Sequence, residues 1–162
     1  MERCRIMSME STTPSDVKVL GAYPQIISGR KIVISIGKRK TAIARAIIKA
    51  GNGRYRVNGT PLELWPIEIA RLKMMEPLML LSNNLRNSID IDIVVEGGGV
   101  LAQAYAVRNA IARGIIVYFN MPILREVFKE FDRTMISGDP RRTESEKWMR
   151  YSARRFRQKS YR

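Results

Sequence analysis

The residues best equipped for chemistry in this chain are arginines, and they crowd its C-terminal end. From Arg141 to Arg162 stand nine cations: Arg141, Arg142, Lys147, Arg150, Arg154, Arg155, Arg157, Lys159 and Arg162. Glu144 and Glu146 are the only acids among them, so these 22 residues carry +7, half of the chain's formal +14. Arginine outnumbers lysine there, and its planar fork grips phosphate oxygens bidentately and stacks on bases, which an ammonium cannot do. Trp148, Tyr151, Phe156 and Tyr161 are interleaved with these cations, and aromatic faces are platforms for unpaired bases. Such a stretch buries too little apolar surface to offset the ordering entropy and should be largely disordered alone. A polyanion supplies the missing free energy by releasing counterions. A solvated, partnerless tail is the plain alternative, but such a tail has no use for arginine interleaved with aromatics.

Two smaller constellations point the same way. Gly37-Lys38-Arg39-Lys40-Thr41 is a cationic cluster between two apolar runs. It lacks the upstream glycine and the Gly-Lys-Thr order of a nucleotide-binding P-loop, so that reading is rejected. Gly97-Gly98-Gly99 opens a helical stretch, where side-chain-free backbone and helix N-terminal amides admit a phosphate; simple turn-making glycines explain it equally well. Asp90 and Asp92 share one side of a strand and read as its polar face in preference to a cation pair. Met74, Met75 and Met79 read as core filling.

Absences bound the chemistry further. The chain has no histidine, which removes the commonest general base and most transition-metal sites. Cys4 is its only cysteine, so neither an internal disulfide nor a cysteine zinc site can form, and the usage suits a reducing compartment. No enzyme activity and no cofactor are expected. No stretch approaches the apolar length of a membrane span, and MERCRIMSME has neither a signal core nor a transit-peptide composition. The expected location is cytoplasmic, with no membrane partner.

The elements that must position these groups are read from periodicity. Residues 1–27 carry no clear period and read as a flexible extension, with Ser11 to Asp16 a loop signal and Gly21 and Pro24 interrupting the residues after it. Ile32 to Ile36 is a β-branched run. Residues 41–49 are alanine-rich, yet the Gly51-Asn52-Gly53 turn and the alternating 54–58 after them predict a β-hairpin of 41–49 with 54–58. Pro66 suits the first turn of a helix whose apolar face is Ile69, Leu72, Met75 and Met79, with Pro77 breaking or kinking it. Ile89, Ile91, Ile93 and Val95 alternate with Asp90, Asp92, Val94 and Glu96 and mark a strand, apolar on one face and acidic on most of the other. A helix over about 100–118 presents Leu101, Ala104, Val107, Ile111 and Ile115, and a shorter one runs from Pro122 to about Arg133. The fold class is α+β, a largely antiparallel sheet with helices on one face. It divides into a flexible extension (1–30), a globular domain (31–138) and a basic arm (139–162).

Several motifs in this order and spacing resemble one family. Gly37-Lys-Arg-Lys-Thr-Ala-Ile-Ala-Arg45, Gly51-Asn-Gly-Arg-Tyr-Arg-Val-Asn-Gly59, Glu76-Pro77-Leu78, Gly97-Gly-Gly99 with Gln103 and Arg108, and Gln158-Lys-Ser-Tyr-Arg162 are similar to ribosomal protein S-nine of the small subunit, over about residues 31–162. Asp139-Pro-Arg-Arg142 and the Tyr-Arg ending resemble its archaeal and eukaryotic branch. The resemblance implies a left-handed βαβ fold like the second domain of ribosomal protein S-five, plus an extended basic C-terminal tail. It implies a place in the small-subunit head, on the 3′ major domain of the rRNA beside neighbouring head proteins. Lys159, Tyr161 and Arg162 would touch the anticodon stem-loop of P-site tRNA, with Arg162 leading. Lys38, Arg39, Lys40, Thr41, Arg45, Gly97, Gly98, Gly99, Gln103, Arg108, Arg141, Arg142, Lys147, Arg150, Arg154, Arg155 and Arg157 would hold rRNA. Relatives often carry glycines where this chain has Lys147 to Arg154, so a more helical upper arm is expected. The alternatives are a free-standing RNA chaperone and, from another class, a small-molecule kinase of the same fold, whose serine-containing glycine loop is missing here.

Overall fold

The computed structural model describes residues 21–27, 29–158 and 160. Six strands form one sheet: β1 (Ala22–Ile27), β2 (Arg30–Arg39), β3 (Ala42–Ala50), β4 (Tyr55–Val57), β5 (Thr60–Pro61) and β6 (Ile89–Glu96). Their spatial order is β1-β2-β3-β6-β4-β5, and every neighbouring pair is antiparallel except β4 with β6. The helices are α1 (Glu68–Met79), α2 (Asn83–Asn87), α3 (Val100–Phe119), α4 (Pro122–Phe131) and α5 (Thr134–Ser137).

The alanine-rich 42–50 is a strand because its burial has period two. Ala42, Ala44, Ala46 and Ile48 are fully buried while Ile43, Arg45, Ile47 and Lys49 are exposed. The small side chains let α3 lie unusually close. A Cβ on Gly37 would stand 1.9 Å from the Ala106 carbonyl oxygen, so only glycine fits there. Ser35 Oγ donates 2.6 Å to the Ala110 carbonyl across the same contact. On β6, Ile89, Ile91, Ile93 and Val95 complete the buried face, as their alternation predicts. Helix α3 is central: α1, α4 and α5 pack on it, with Phe128 and Met135 fully buried. It is therefore apolar nearly all round and not along one stripe.

Four expectations are corrected. The hairpin of 41–49 with 54–58 does not form, because β6 lies between β3 and β4; β3's hairpin partner is β2, through Lys40 and Thr41. The long, fully apolar row of β6 covers the α3-facing side of the sheet better than the three-residue β4 can. The expected flexible extension fails over Ala22–Ile27, which form β1 with Pro24 opposite Val33, an edge strand tolerating a residue without an N–H; residues 1–20 lie outside the described residues. Pro77 does not break the run into two elements: it sits buried inside the last turn of α1. The buried face of α1 is Ala70, Met74, Pro77 and Leu78, while Ile69, Leu72 and Met79 are exposed.

Candidate nucleic-acid interface

The β2–β3 turn is the first piece of the site. Lys38, Lys40 and Thr41 are exposed at its end, and Lys40 holds φ at 53°, a left-handed conformation costly for a side-chain-bearing residue. Arg39 points the other way. Its guanidinium, 14% exposed, lies 2.6 Å from Asp139 and 5.7 Å from the Tyr105 ring centroid.

The glycine loop packs directly on that turn. Gly97 and Gly98 have φ of 73° and 69°, and a Cβ on Gly97 would lie 2.7 Å from the Thr41 carbonyl oxygen. Both positions thus require glycine, by conformation and by contact. Gly99 is open to solvent and precedes the first turn of α3, whose leading amides have no helical partner. Gln103 Nε2 donates 3.1 Å to the Gly97 carbonyl and closes the loop onto the helix. Arg45 lies exposed on the sheet face away from α3, opposite Val94 in register.

The root of the arm reaches the same end of the domain. Asp139 accepts from the Arg141 side chain at 2.7 Å and from the Arg141 N–H at 2.8 Å, and it also contacts Arg39. The Arg141 bonds, with Arg39 beside them, hold its carboxyl well below the usual carboxylate range. Arg142 donates 2.9 Å to the Lys40 carbonyl, across 102 residues of chain. Turn, glycine loop and arm root, three separate signals in the sequence, are contiguous.

Beyond Arg142 the arm is not helical, which corrects the expectation for its upper part. Met149 is left-handed (φ 62°), and Arg150 bridges Phe156 in a single antiparallel contact that turns the chain back on itself. The Arg150 guanidinium sits 4.1 Å from the Phe156 ring centroid, and Arg157 and Arg155 flank the Tyr151 ring at 5.2 and 6.0 Å. The Arg150–Phe156 and Arg157–Tyr151 contacts span six residues, a spacing that would place the partners on different faces of a helix. Glu144 pairs with Arg154 at 2.8 Å and Lys147 at 3.4 Å, and Trp148 is 90% exposed. Lys159, Tyr161 and Arg162 lie outside the described residues.

Arg108 is taken out of the interface. It is fully buried, its Nε 2.7 Å from Glu76 and its Nη2 2.5 Å from Asp132, with the Tyr105 ring centroid at 5.8 Å. The Glu76 contact is close without hydrogen-bond alignment, so it acts through charge. Burial pulls the Asp132 carboxyl up, but bonds from Arg108 and from the Thr134 N–H and hydroxyl outweigh it and leave the pKa lowered. Asp90 is likewise structural. Its Oδ1 accepts from the Asn52 and Arg54 N–H groups at 2.8 and 2.9 Å, capping the turn after β3, and the Arg54 bond leads in lowering its pKa against some burial. Lys49 pairs with Asp92 at 2.7 Å.

Sequence reasoning missed Arg113, Arg133 and Tyr23, which line a cleft beside the arm root together with Lys38, Lys40 and Arg142. One signal was available: Arg108 and Arg113 are the only charges in the 20 residues of α3, so each needs a partner or a purpose.

A family model described as Ribosomal protein S9/S16 matches residues 37–162. The small ribosomal subunit protein uS9 of Aeropyrum pernix is 56% identical, over 82% of this chain and 97% of its own length. Its counterpart in Saccharolobus solfataricus is 55% identical over the same shares. That of Halobacterium salinarum is 51% identical over 78% of this chain and 96% of its own length.

Proposed function

This chain belongs to the ribosomal protein S9/S16 family, a class of structural ribosomal proteins, and we propose from that premise that it binds rRNA in the head of the small subunit and reaches P-site tRNA with its arm. The observation that carries the reading is the convergence of the β2–β3 turn, the glycine loop and the arm root on one end of the domain. Lys38, Lys40, Thr41 and the amides at the start of α3 offer phosphate contacts there, on a backbone that Gly97 and Gly98 keep clear of side chains. Arg141 to Arg157 extend the cationic track along the 3′ major domain, and neighbouring head proteins flank it. Arg39, held by Asp139, fixes the direction in which the arm leaves. The parallel pair β4–β6, with α1 and α2 in its connection, supplies the βαβ crossover that the S-five second-domain type requires, and we take its hand to be left.

The tip is the part that meets tRNA in this reading: Arg162 first, with Tyr161 and Lys159 beside it. Removing residues 159–162 should lower retention of P-site tRNA on reconstituted small subunits while the protein still assembles with rRNA. Equal retention by truncated and complete protein would overturn the role of the tip; loss of assembly would overturn the division between tip and tether.

A further inference from the structure

The cleft beside the arm root has about 800 Å³ of space, within the range of ligand pockets. Its walls are Tyr23 of β1, Lys38 and Lys40 of the turn, Arg133, Arg142 and, as its floor, Arg113 of α3. The one acid on the wall, Asp139, is already engaged by Arg39 and Arg141. Arg113 is half-buried, and its guanidinium donates to two carbonyls, Ile136 at 2.8 Å and Ile36 at 3.0 Å. No carboxylate lies within ion-pair distance of it among the described residues, nor of Lys38, Lys40 or Arg133. A partly desolvated cation held by carbonyl dipoles alone keeps its full charge uncompensated, a poor arrangement unless an anion completes it.

The approach to that floor is bare. Gly21 and Gly138, both with positive φ, flank the guanidinium, and a Cβ on either would come within 3.4 Å of it. Tyr23 stands at the rim, 60% exposed, with Ile36 beside it. A cleft lined by several cations and one exposed aromatic ring matches a nucleotide: phosphate on the cations, base on the ring. A paired stretch of A-form RNA keeps its bases stacked inside and cannot present both groups to one pocket.

We propose that this cleft seats one unpaired nucleotide of RNA, its phosphate on Arg113 and the surrounding cations and its base on Tyr23. The inference rests on the RNA-binding reading above and deepens it from a cationic track to a discrete pocket. The test compares the full chain's affinity for a short RNA hairpin carrying a single bulged nucleotide, each base in turn, with its affinity for the same hairpin fully paired. At least one bulged form should bind about tenfold more tightly, the size of one base–aromatic stack. Tyr23→Ala and, separately, Arg113→Met should bring the ratio to one, while Arg125→Met, which removes a cation outside the cleft, should leave it. Tyr23 is exposed, so its variant reports even if Arg113→Met impairs folding. Equal affinity for bulged and paired hairpins, or a ratio that survives Tyr23→Ala, overturns the pocket and leaves the RNA-binding reading standing. Binding to neither RNA overturns both.

Discussion

Two arginines five residues apart on α3 meet opposite surroundings. Arg108 is enclosed by Glu76 from α1 and Asp132 from the α4–α5 junction, so a buried cation becomes a clamp joining three elements. Arg113 has two carbonyl oxygens and a cleft. Residue type does not separate them; five residues of helix turn them about 140° apart, so only Arg108 faces the carboxylates that other elements bring. A buried charge with acids around it belongs to the fold, and a half-buried charge without them, facing a cleft, is available to a ligand.

The largest effect that tests this contrast is on stability. Arg108→Ala leaves two carboxylates facing an empty pocket and should cost about 3–5 kcal/mol in urea unfolding. Arg113→Met strips two carbonyls of a donor and should cost less, about 1–3 kcal/mol. A larger loss at Arg113 than at Arg108 would break the comparison.

Acid titration sharpens it. Asp132 has a lowered folded-state pKa, so its contribution is complete above the unfolded value of about 4 and is lost as pH falls through the folded value. Thermal melts of the parent should therefore weaken below about pH 4. Asp132→Asn should be less stable than the parent at neutral pH and show a flatter acid limb. An unchanged acid limb would mean that Asp132 is not the acid that answers Arg108.

The smallest effect on folding belongs to the arm. Among the described residues, no hydrogen bond or ion pair from Glu144 onward reaches the domain. Removing residues 144–162 should leave unfolding free energy within about 0.5 kcal/mol. The same deletion should remove much of a salt dependence whose slope, for about six phosphate contacts, is roughly −4 to −5 in log affinity against log salt. A large loss of stability would show that the arm is part of the core.

What the sequence made legible was periodic or charged. The alternation of β6 and the long helix α3 were readable because each pattern is local. The buried face of α1 was not, because EIARLKMMEPLM is apolar on two adjoining stripes and α3 selects one of them through Arg108 and Glu76. β1 was missed because a proline and a short run look like a loop until β2 supplies a partner. The cationic turn, the glycine loop and the arm were each visible, but their convergence depends on contacts across up to 102 residues. The cleft was invisible for the same reason: Tyr23, Arg113 and Arg133 share no spacing.

The insertion of β6 between β3 and β4 also bears on how the chain is made. As the polypeptide emerges, β2 and β3 can pair at once, being joined by a two-residue turn. β4 and β5 cannot join the growing sheet until β6 has been synthesised some thirty residues later, because β6 is the strand that connects them to β3. Until then the free edge of β3 is an unpaired row of backbone groups, open to wrong partners. The order of synthesis therefore sets a waiting period in which half of the sheet exists and the other half has nothing to dock on.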